Sequence, residues 1–260
     1  MSSRIKYGYE YCPSPHDIIY CMGRLPGGAC VELQHPPQCP NITIAYINID
    51  GIKSKHLAVK AFMLMYNVDL VIIAESKLHL FKSIPEPIIF HTATHNNNYG
   101  MAVALHPKYA QRDLVISSHD CFHINIEFLT FNVLGIYIPS GETNKFEFLK
   151  NYFGALINEN TIVIGDFNMP LNCPRASSDH GLLDYLLAKR LIYQDLNDTD
   201  YTFHRQASNQ DQFSFVDHLF IPLNYTIDII NPTTTPTDVS YHSFVQFTVN
   251  QQSIPLLPKN

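Results

Sequence analysis

The alternation of apolar and polar positions from residue 41 onward predicts a domain built from both strands and helices. Short apolar runs at 42–47 and 69–74 predict strands, and the second run is nearly all apolar, as in a strand buried on both faces. Apolar residues with helical spacing predict a helix over 57–66. The same criteria predict strands at 101–105, 122–129, 131–138, 161–165, 215–221 and 243–249, and helices at 144–158 and 181–190.

The order of these elements favours one mixed α/β domain over 41–250, because the pattern shows neither an internal repeat nor a second core. Residues 1–40 are rich in Pro, Gly, Cys and Tyr, so we expect an irregular N-terminal extension there. Residues 251–260, which include Pro255 and Pro258, are predicted to be a short tail.

The composition is that of a globular protein, with 46% apolar residues and a formal net charge of −6. No basic stripe marks a nucleic-acid surface, although carboxylates that hold a divalent cation would make the metal-free chain look more acidic than its working form. The chain has no apolar run of about 18 residues and no secretory signal. We therefore expect an intracellular protein that does not enter a membrane.

Four of the six cysteines recur every nine residues, at Cys12, Cys21, Cys30 and Cys39. A zinc site is one interpretation of this spacing. Structural zinc sites usually bring their ligands in pairs two to four residues apart, and none of these cysteines is paired so closely. The alternative is that they are small buried apolar residues of the N-terminal extension, as expected in a reducing compartment.

Polar side chains follow or interrupt the apolar runs of four predicted strands, where an α/β sandwich presents them in a cleft. They are Asn48, Glu75, Asp166, Asn168 and Asp217. Taken one at a time, each also has a structural explanation, such as a turn residue or a carboxylate at the start of a helix. Their combination is more specific.

The segment Gly165-Asp-Phe-Asn168 resembles the Gly-Asp-Phe-Asn signature of the endonuclease/exonuclease/phosphatase superfamily. Other motifs of the superfamily resemble segments in the same order along this chain. They are Asn48 in Tyr46-Ile-Asn-Ile-Asp-Gly51, Glu75 in Ala74-Glu-Ser-Lys77, Tyr137 in Gly135-Ile-Tyr-Ile-Pro139 and Asp217 in Phe215-Val-Asp-His218. The resemblance covers 42–249 and implies a four-layer α/β sandwich, in which two packed mixed sheets are flanked by helices.

The last motif of the superfamily, Ser-Asp-His, is altered in this chain. Ser240-Tyr-His242 keeps the serine and the histidine before the last predicted strand but has Tyr241 in place of the aspartate. A literal Ser-Asp-His at 178–180 lies shortly after the Gly-Asp-Phe-Asn segment and before a predicted helix. We therefore predict that Ser178 or Asp179 caps that helix, and that His242 is the histidine of the site.

The resemblance implies hydrolysis of a phosphodiester with the help of Mg²⁺ or Mn²⁺, which neutralises phosphate charge and stabilises the leaving oxygen. Glu75 is the expected metal ligand, and Asn48 is expected to supply an amide oxygen beside it, because such ions prefer hard oxygen ligands. Tyr241 leaves the site with one carboxylate fewer. Because Glu75, Asp166, Asp217 and His242 are all present, the sequence favours an active enzyme.

The remaining site residues are expected to act on water and phosphate. His242 would contact the scissile phosphate or take a proton from the attacking water, and Asp217 would accept its other ring N–H. Asp166 would orient or deprotonate the water, while Asn168 and Tyr137 would donate hydrogen bonds to phosphate oxygens. The sequence leaves open whether Asp166 or His242 accepts the proton.

Three segments, 75–77, 98–104 and 165–168, look most like the endonuclease domains of non-LTR retrotransposons. That likeness implies an endonuclease that nicks DNA in the nucleus, and the N-terminal extension could bind a protein partner. Two alternatives stay open: a phosphatase of nucleotides or inositol phosphates, and a non-catalytic module that binds nucleic acid or protein. Substrate preference would come from loops predicted at 91–100, 169–180 and 204–214, which carry His91, His95, Arg175, His204 and Arg205.

Overall fold

The structure is a computed structural model, and it describes most of the predicted domain. The described residues are 41–77, 89–92, 99–106, 114–118, 120–128, 130–171, 177–196, 201–207, 210–225 and 229–250. The N-terminal extension with its four regularly spaced cysteines, the tail at 251–260, and two residues of the predicted loops, His95 and Arg175, lie outside them.

The first sheet has six strands in the order β13-β14-β1-β2-β4-β3. They are β1 (Ile42–Asn48), β2 (Leu70–Ala74), β3 (Ile89–Thr92), β4 (Ala102–Leu105), β13 (Ile229–Thr235) and β14 (Phe244–Val249). β1 and β2 are parallel, and every other pair in this sheet is antiparallel. Helix α1 (His56–Met65) makes the crossover between the two parallel strands.

The second sheet also has six strands, in the order β5-β6-β7-β8-β12-β9. They are β5 (Val115–Ser117), β6 (His123–Glu127), β7 (Asn132–Tyr137), β8 (Thr161–Asp166), β9 (Leu191–Gln194) and β12 (Asp217–Pro222). β7 and β8 are its parallel pair, joined by helix α2 (Lys145–Phe153). Helix α3 (Ser177–Ala188) follows β8, and strands β10 (Phe203–Ala207) and β11 (Gln210–Ser214) form a separate two-stranded hairpin. A 3₁₀ turn, Leu223–Tyr225, follows β12.

The central strands are apolar throughout because both of their faces are buried. In β1, Ile44 and Tyr46 contribute to the core between the two sheets, whereas Ala45 and Ile47 pack in the cluster that includes α1. In the second sheet, Ile162 and Ile164 face the same central core, and Val163 between them packs with α2 and α3. The result is the four-layer α/β sandwich that the sequence resemblance implied.

Three expectations about local structure are wrong. The segment at 204–214, predicted as a loop, is mostly the hairpin β10–β11, whose exposed polar residues hide the alternation of a buried strand. Ser178 and Asp179 do not cap α3 but lie in its first turn, because the helix starts at Ser177. His91 lies in strand β3 rather than in a loop.

The helix boundaries also shift, since α2 ends at Phe153 and α3 at Ala188, earlier than the periodicity predicted. Strands β3, β5, β9 and β13 were not predicted, because they are short or carry few apolar residues. Among the described residues, no helix is both long and apolar enough to cross a membrane.

Candidate active site

Three of the predicted site residues lie side by side across the second sheet. The strand register pairs Tyr137 with Asp166 and pairs Asp166 with Asp217. Because paired residues of neighbouring strands point to the same face of a sheet, all three side chains face the gap between the two sheets. Asp166 and Asp217 are almost completely buried. The sheet pairing therefore fixes two carboxylates and a phenol in one row.

The first sheet brings Asn48 and Glu75 to the same place. Asn48 ends β1, and its Nδ2 donates to Glu75 Oε1 at 3.0 Å and to Asp166 Oδ2 at 3.1 Å. Glu75 directly follows β2 and has a positive φ of 47°, which bends the chain at the end of the strand. The amide nitrogen of Asn48, rather than the oxygen expected from the resemblance, faces the carboxylates; the oxygen accepts a hydrogen bond from Asp50 N at 3.3 Å.

His242 reaches this row from the loop before β14. Its Nδ1 lies 2.8 Å from Asp217 Oδ2, and its Nε2 lies 3.8 Å from Asp166 Oδ2. The loop is held by Ser240, whose hydroxyl donates to the carbonyl of Asn48 and accepts from His242 N. Asp217 thus fixes the orientation of the imidazole and leaves Nε2 directed towards Asp166.

Asn168 braces Asp166. Its backbone N–H donates to Asp166 Oδ1 at 2.8 Å, and its side-chain Nδ2 donates to Ile138 O at 2.8 Å and to Asp166 Oδ2 at 3.3 Å. Gly165 is needed just before, because a Cβ there would lie 2.1 Å from Ile136 O. The Gly-Asp-Phe-Asn segment therefore ends strand β8 and folds Asn168 back onto Asp166, which fixes one carboxylate.

Strained backbone is concentrated at this site. Of the six described non-glycine residues with positive φ, four belong to the motif segments around Asn48, Glu75 and Asp166: Asp50, Glu75, Lys77 and Asn168. Such conformations cost on the order of 1–3 kcal/mol each and persist where the surrounding structure holds them in place. This concentration supports a functional role for these segments.

Burial and close charges shift the pKa values of the site in a chemically useful direction. Burial, followed by the charge of Asp217, raises the pKa of Asp166 to about 7, although His242, Asn48 and Asn168 act in the opposite direction. Burial by itself lowers the pKa of His242, but the charges of Asp217, Asp166 and Glu75 outweigh it and raise that pKa to about 9. At neutral pH the imidazole is therefore cationic, whereas Asp166 can accept or release a proton.

Tyr137 stays protonated under the same conditions. Burial is the main cause that raises the pKa of its phenol above the ordinary value, and the charge of Glu75 and a hydrogen bond with that carboxylate act in the same direction. The phenol is therefore a hydrogen-bond donor at the edge of the carboxylate cluster.

The donor set suits a hard divalent cation. Among the described residues, one group of potential ligands, Asp166, Asp217 and His242, has atoms within 4.8 Å of one another. Asp217 Oδ1 is buried and accepts no hydrogen bond from any residue that the structure describes. Glu75 lies beside this group and is the more exposed carboxylate, with 19% of its side chain accessible. Several carboxylate oxygens close together, one of them on an accessible side chain, fit a hard divalent cation.

The site also contains residues that the sequence reasoning missed. The hydroxyl of the buried Tyr46 donates to Ile136 O and accepts from Asp166 N, so it ties the first sheet to the second. Thr202 Oγ1 accepts from the backbone N–H groups of Val216 and Asp217. The signal for Tyr46 was a tyrosine on the inward face of a buried strand, where its hydroxyl needs a partner. The signal for Thr202 was its place in the Tyr201-Thr-Phe203 segment before Asp217.

Lys77 and Asp50 form an ion pair at the open side of the cluster, and Lys77 Nζ lies 3.8 Å from Glu75 Oε2. Hydrogen bonding to Lys77 is the main cause that lowers the pKa of Asp50. Asp50 and Lys77 each lie two residues from a predicted site residue, Asn48 and Glu75, so their position in the sequence was a signal that they lie near the site.

Tyr241, the middle residue of Ser240-Tyr-His242, is directed to the surface, with 53% of the residue exposed. Its ring lies 6.3 Å from the ring of Phe203 and under the guanidinium of Arg205 at 5.6 Å. Its carbonyl accepts a hydrogen bond from His204 N at 2.8 Å, so the hairpin β10–β11 holds this part of the loop.

Solved structures identify the fold. The endonuclease domain of TRAS1, a telomere-specific non-LTR retrotransposon, is 15% identical with a TM-score of 0.64, and the match covers 82% of this chain and 100% of that one. An AP endonuclease from Archaeoglobus fulgidus is 14% identical with a TM-score of 0.63, over 80% and 99% of the chains. The 3'-5' exonuclease NExo from Neisseria meningitidis is 14% identical with a TM-score of 0.63, and the match covers 80% of this chain and 100% of that one.

The chain therefore has the endonuclease/exonuclease/phosphatase fold, which confirms the prediction from its motifs. The retrotransposon endonuclease among these structures belongs to the group whose motifs the sequence most resembles. No protein-family model matches the sequence, and no curated protein matches it.

Proposed function

We propose that this protein is a divalent-metal-dependent phosphodiester hydrolase that nicks DNA. The observation that carries the proposal is the convergence of two sheets on one cluster: Asn48 links Glu75 to Asp166, and His242 joins Asp166 to Asp217. A buried carboxylate, an oriented imidazole and an oxygen-rich position beside them are what water attack on a phosphodiester needs. DNA as substrate is supported by the likeness to a retrotransposon endonuclease domain and to an AP endonuclease.

Glu75 is the residue best placed to hold Mg²⁺ or Mn²⁺, because it is the accessible carboxylate of the cluster. A half-turn of the Asn48 amide would present its oxygen at the same position. When bound, the cation would neutralise phosphate charge and stabilise the departing oxygen.

Asp166 is the proposed proton acceptor for the attacking water, since it is a buried carboxylate fixed by Asn48 and Asn168 beside the ring of His242. Its pKa of about 7 belongs to the metal-free site, and a bound cation would lower it. His242 would face the phosphate as an imidazolium, with Asp217 holding its Nδ1–H. Tyr137 would donate to a phosphate oxygen. The side-chain N–H groups of Asn168 already donate to Ile138 and Asp166, so we assign Asn168 mainly to bracing Asp166.

Conversion of supercoiled plasmid to open circle tests the proposal. We expect nicking by the wild-type chain with Mg²⁺ or Mn²⁺, none with a chelator, and loss of nicking in Asp166→Ala and His242→Ala. His180→Ala is the matched control, because His180 is exposed on α3 in the literal Ser-Asp-His segment and lies outside the cluster. Nicking that survives the changes at 166 and 242 would overturn the assignment.

A phosphatase of small phosphoesters on the same fold would give a different result. It would release phosphate from nucleotides or inositol phosphates without opening the plasmid. Saturable DNA binding without hydrolysis in any divalent metal would instead indicate a binding module.

A further inference from the structure

An exposed aromatic face lies directly beside the candidate active site. It consists of Tyr241, Phe203 and Arg205, and we call these three residues the aromatic face. The ring of Phe203 meets the ring of His242 edge to face, with 5.0 Å between centroids, and also lies 6.3 Å from Tyr241. Phe203 therefore links Tyr241 to the ring of His242.

The hairpin holds this face in place. Phe203 and His242 form a backbone bridge, and His204 N donates to Tyr241 O. Because side chains alternate along a strand, Phe203 and Arg205 point to one side of β10 and His204 to the other, where it stacks on Phe213. Tyr241 thus belongs to the side of the hairpin that faces His242.

The chemistry of the face suits a nucleobase. Tyr241 is 53% exposed although it is aromatic, and Arg205 is exposed over its ring. Within the described part of the chain, no carboxylate forms an ion pair with Arg205, so this cation remains available to a phosphate. Aromatic rings combined with arginine are the usual means of holding an unpaired base next to its charged backbone.

We infer that the aromatic face stacks on the base of a nucleotide flanking the scissile phosphate, so that the substrate is DNA with that base unpaired or displaced from the duplex. The inference rests on the proposed function, because the base would stack on Tyr241, and Tyr241 precedes His242, which is proposed to face the scissile phosphate. It assigns to Tyr241 the role of a specificity residue, gained at the position where the superfamily has a carboxylate.

The decisive experiment combines a protein change with a substrate change. Oligonucleotides spanning a mapped nick site carry, in turn, a tetrahydrofuran abasic residue in place of each of the two nucleosides that flank the scissile phosphate. We expect Tyr241→Ala to raise KM about 5- to 100-fold with little change in kcat, since one base stack contributes on that scale. At one flanking position, the abasic substrate should raise the wild-type KM by a similar factor, and the two changes together should raise it no further.

Two further variants separate stacking from general damage. Tyr241→Phe keeps the ring and should restore the KM that Tyr241→Ala loses. Phe213→Ala removes an equally exposed ring from the opposite side of the hairpin and should leave KM unchanged. The inference would be overturned if, at both flanking positions, the rise in KM from Tyr241→Ala and the rise from the abasic residue multiplied. It would also be overturned if Tyr241→Ala left KM unchanged.

Binding gives the same answer without hydrolysis. Fluorescence anisotropy of the same oligonucleotides with Ca²⁺ present measures Kd for the same set of variants and substrates. If plasmid nicking is absent, Kd is measured instead on a duplex with one unpaired base and on the same duplex with that base replaced by tetrahydrofuran. If the losses in Kd from Tyr241→Ala and from the abasic residue then fail to add, the proposed function falls and the stacking inference stands. If nicking occurs but the losses in Kd are independent, the inference alone falls.

Discussion

The two halves of the site differ in burial and in what holds them. In the buried half, the side chains of Asp166 and Asp217 are each 1% exposed. Asn48 and Asn168 donate hydrogen bonds to Asp166, and His242 is hydrogen-bonded to Asp217. In the exposed half, Tyr241 and Arg205 lie on a loop and a hairpin that contact each other. Groups that react must be fixed and desolvated, whereas groups that select a substrate can change without unfolding the protein. The departure of this chain from the Ser-Asp-His motif, at Tyr241, falls in the exposed half.

The largest effect is expected from Asp217→Asn, which keeps the shape of the side chain but removes the charge that orients His242 and stabilises its protonated form. We expect kcat for plasmid nicking to fall about 10²- to 10⁴-fold, the range of a lost acid–base function. Asp195→Asn, at an exposed carboxylate outside the site, is the control. If the two variants were equally active, the buried half would not be the reacting half.

A smaller effect is expected at the metal position. Glu75→Gln should raise the Mn²⁺ concentration needed for half-maximal nicking about 10- to 100-fold, a loss of the size seen when a group supporting a metal site is removed. It should also reduce the rise in melting temperature that Mn²⁺ gives the wild-type chain, because a ligand stabilises the folded state by mass action. Glu159→Gln, an exposed glutamate beside Arg190, should behave as wild type in both measurements.

Thr202→Val tests how the buried half is held. It replaces an acceptor with a methyl group of similar volume and leaves the buried N–H groups of Val216 and Asp217 without their partner. We expect the free energy of unfolding to fall by about 1–3 kcal/mol in urea denaturation. Thr202→Ser retains the hydroxyl and should lose less. Equal losses in the two variants would show that packing, rather than the hydrogen bonds, is responsible.

The pH dependence of stability should reveal the shared charges of the buried half. In a chelator, the pKa values of both Asp166 and His242 in the folded state lie above their ordinary values of 3.8 and 6.5, at about 7 and about 9. Each group therefore stabilises the folded state at low pH and loses that contribution as pH rises. Between pH 6.5 and 9 the free energy of unfolding should fall by up to about 1.4 kcal/mol per pH unit from His242.

His242→Gln should flatten this slope, and His180→Gln should keep it. A slope that is the same in all three chains would mean that His242 gains no proton on folding. The measurement is a series of urea unfolding curves across this pH range.

The sequence predicted the buried half of the site far better than the exposed half. Asn48, Asp166 and Asp217 lie at the ends of continuous apolar strands, whose position in a sandwich follows from their pattern. The pairing of Tyr137 with Asp166 was not predicted, because it depends on the register between the parallel strands β7 and β8. The orientation of the Asn48 amide could not be predicted, since it depends on carboxylates that come from a different sheet.

The exposed half was predicted less well because its strands lack a buried face. The sequence of β10 and β11 is largely polar, so it looked like a loop, and the contact of Phe203 with His242 arises only once the hairpin has formed. Likewise, Tyr46 and Thr202 bind backbone groups, and backbone partners leave no motif in the sequence.

The central claim is that Asp166 and His242 act as one hydrolytic unit, and a double-variant cycle tests it most directly. Nicking rates would be measured for Asp166→Asn, His242→Asn and the combined variant at saturating Mg²⁺. Groups that act in one step are strongly non-additive, so the combined variant should be about as slow as the slower single variant. A combined rate lowered by the product of the two separate losses would contradict the account.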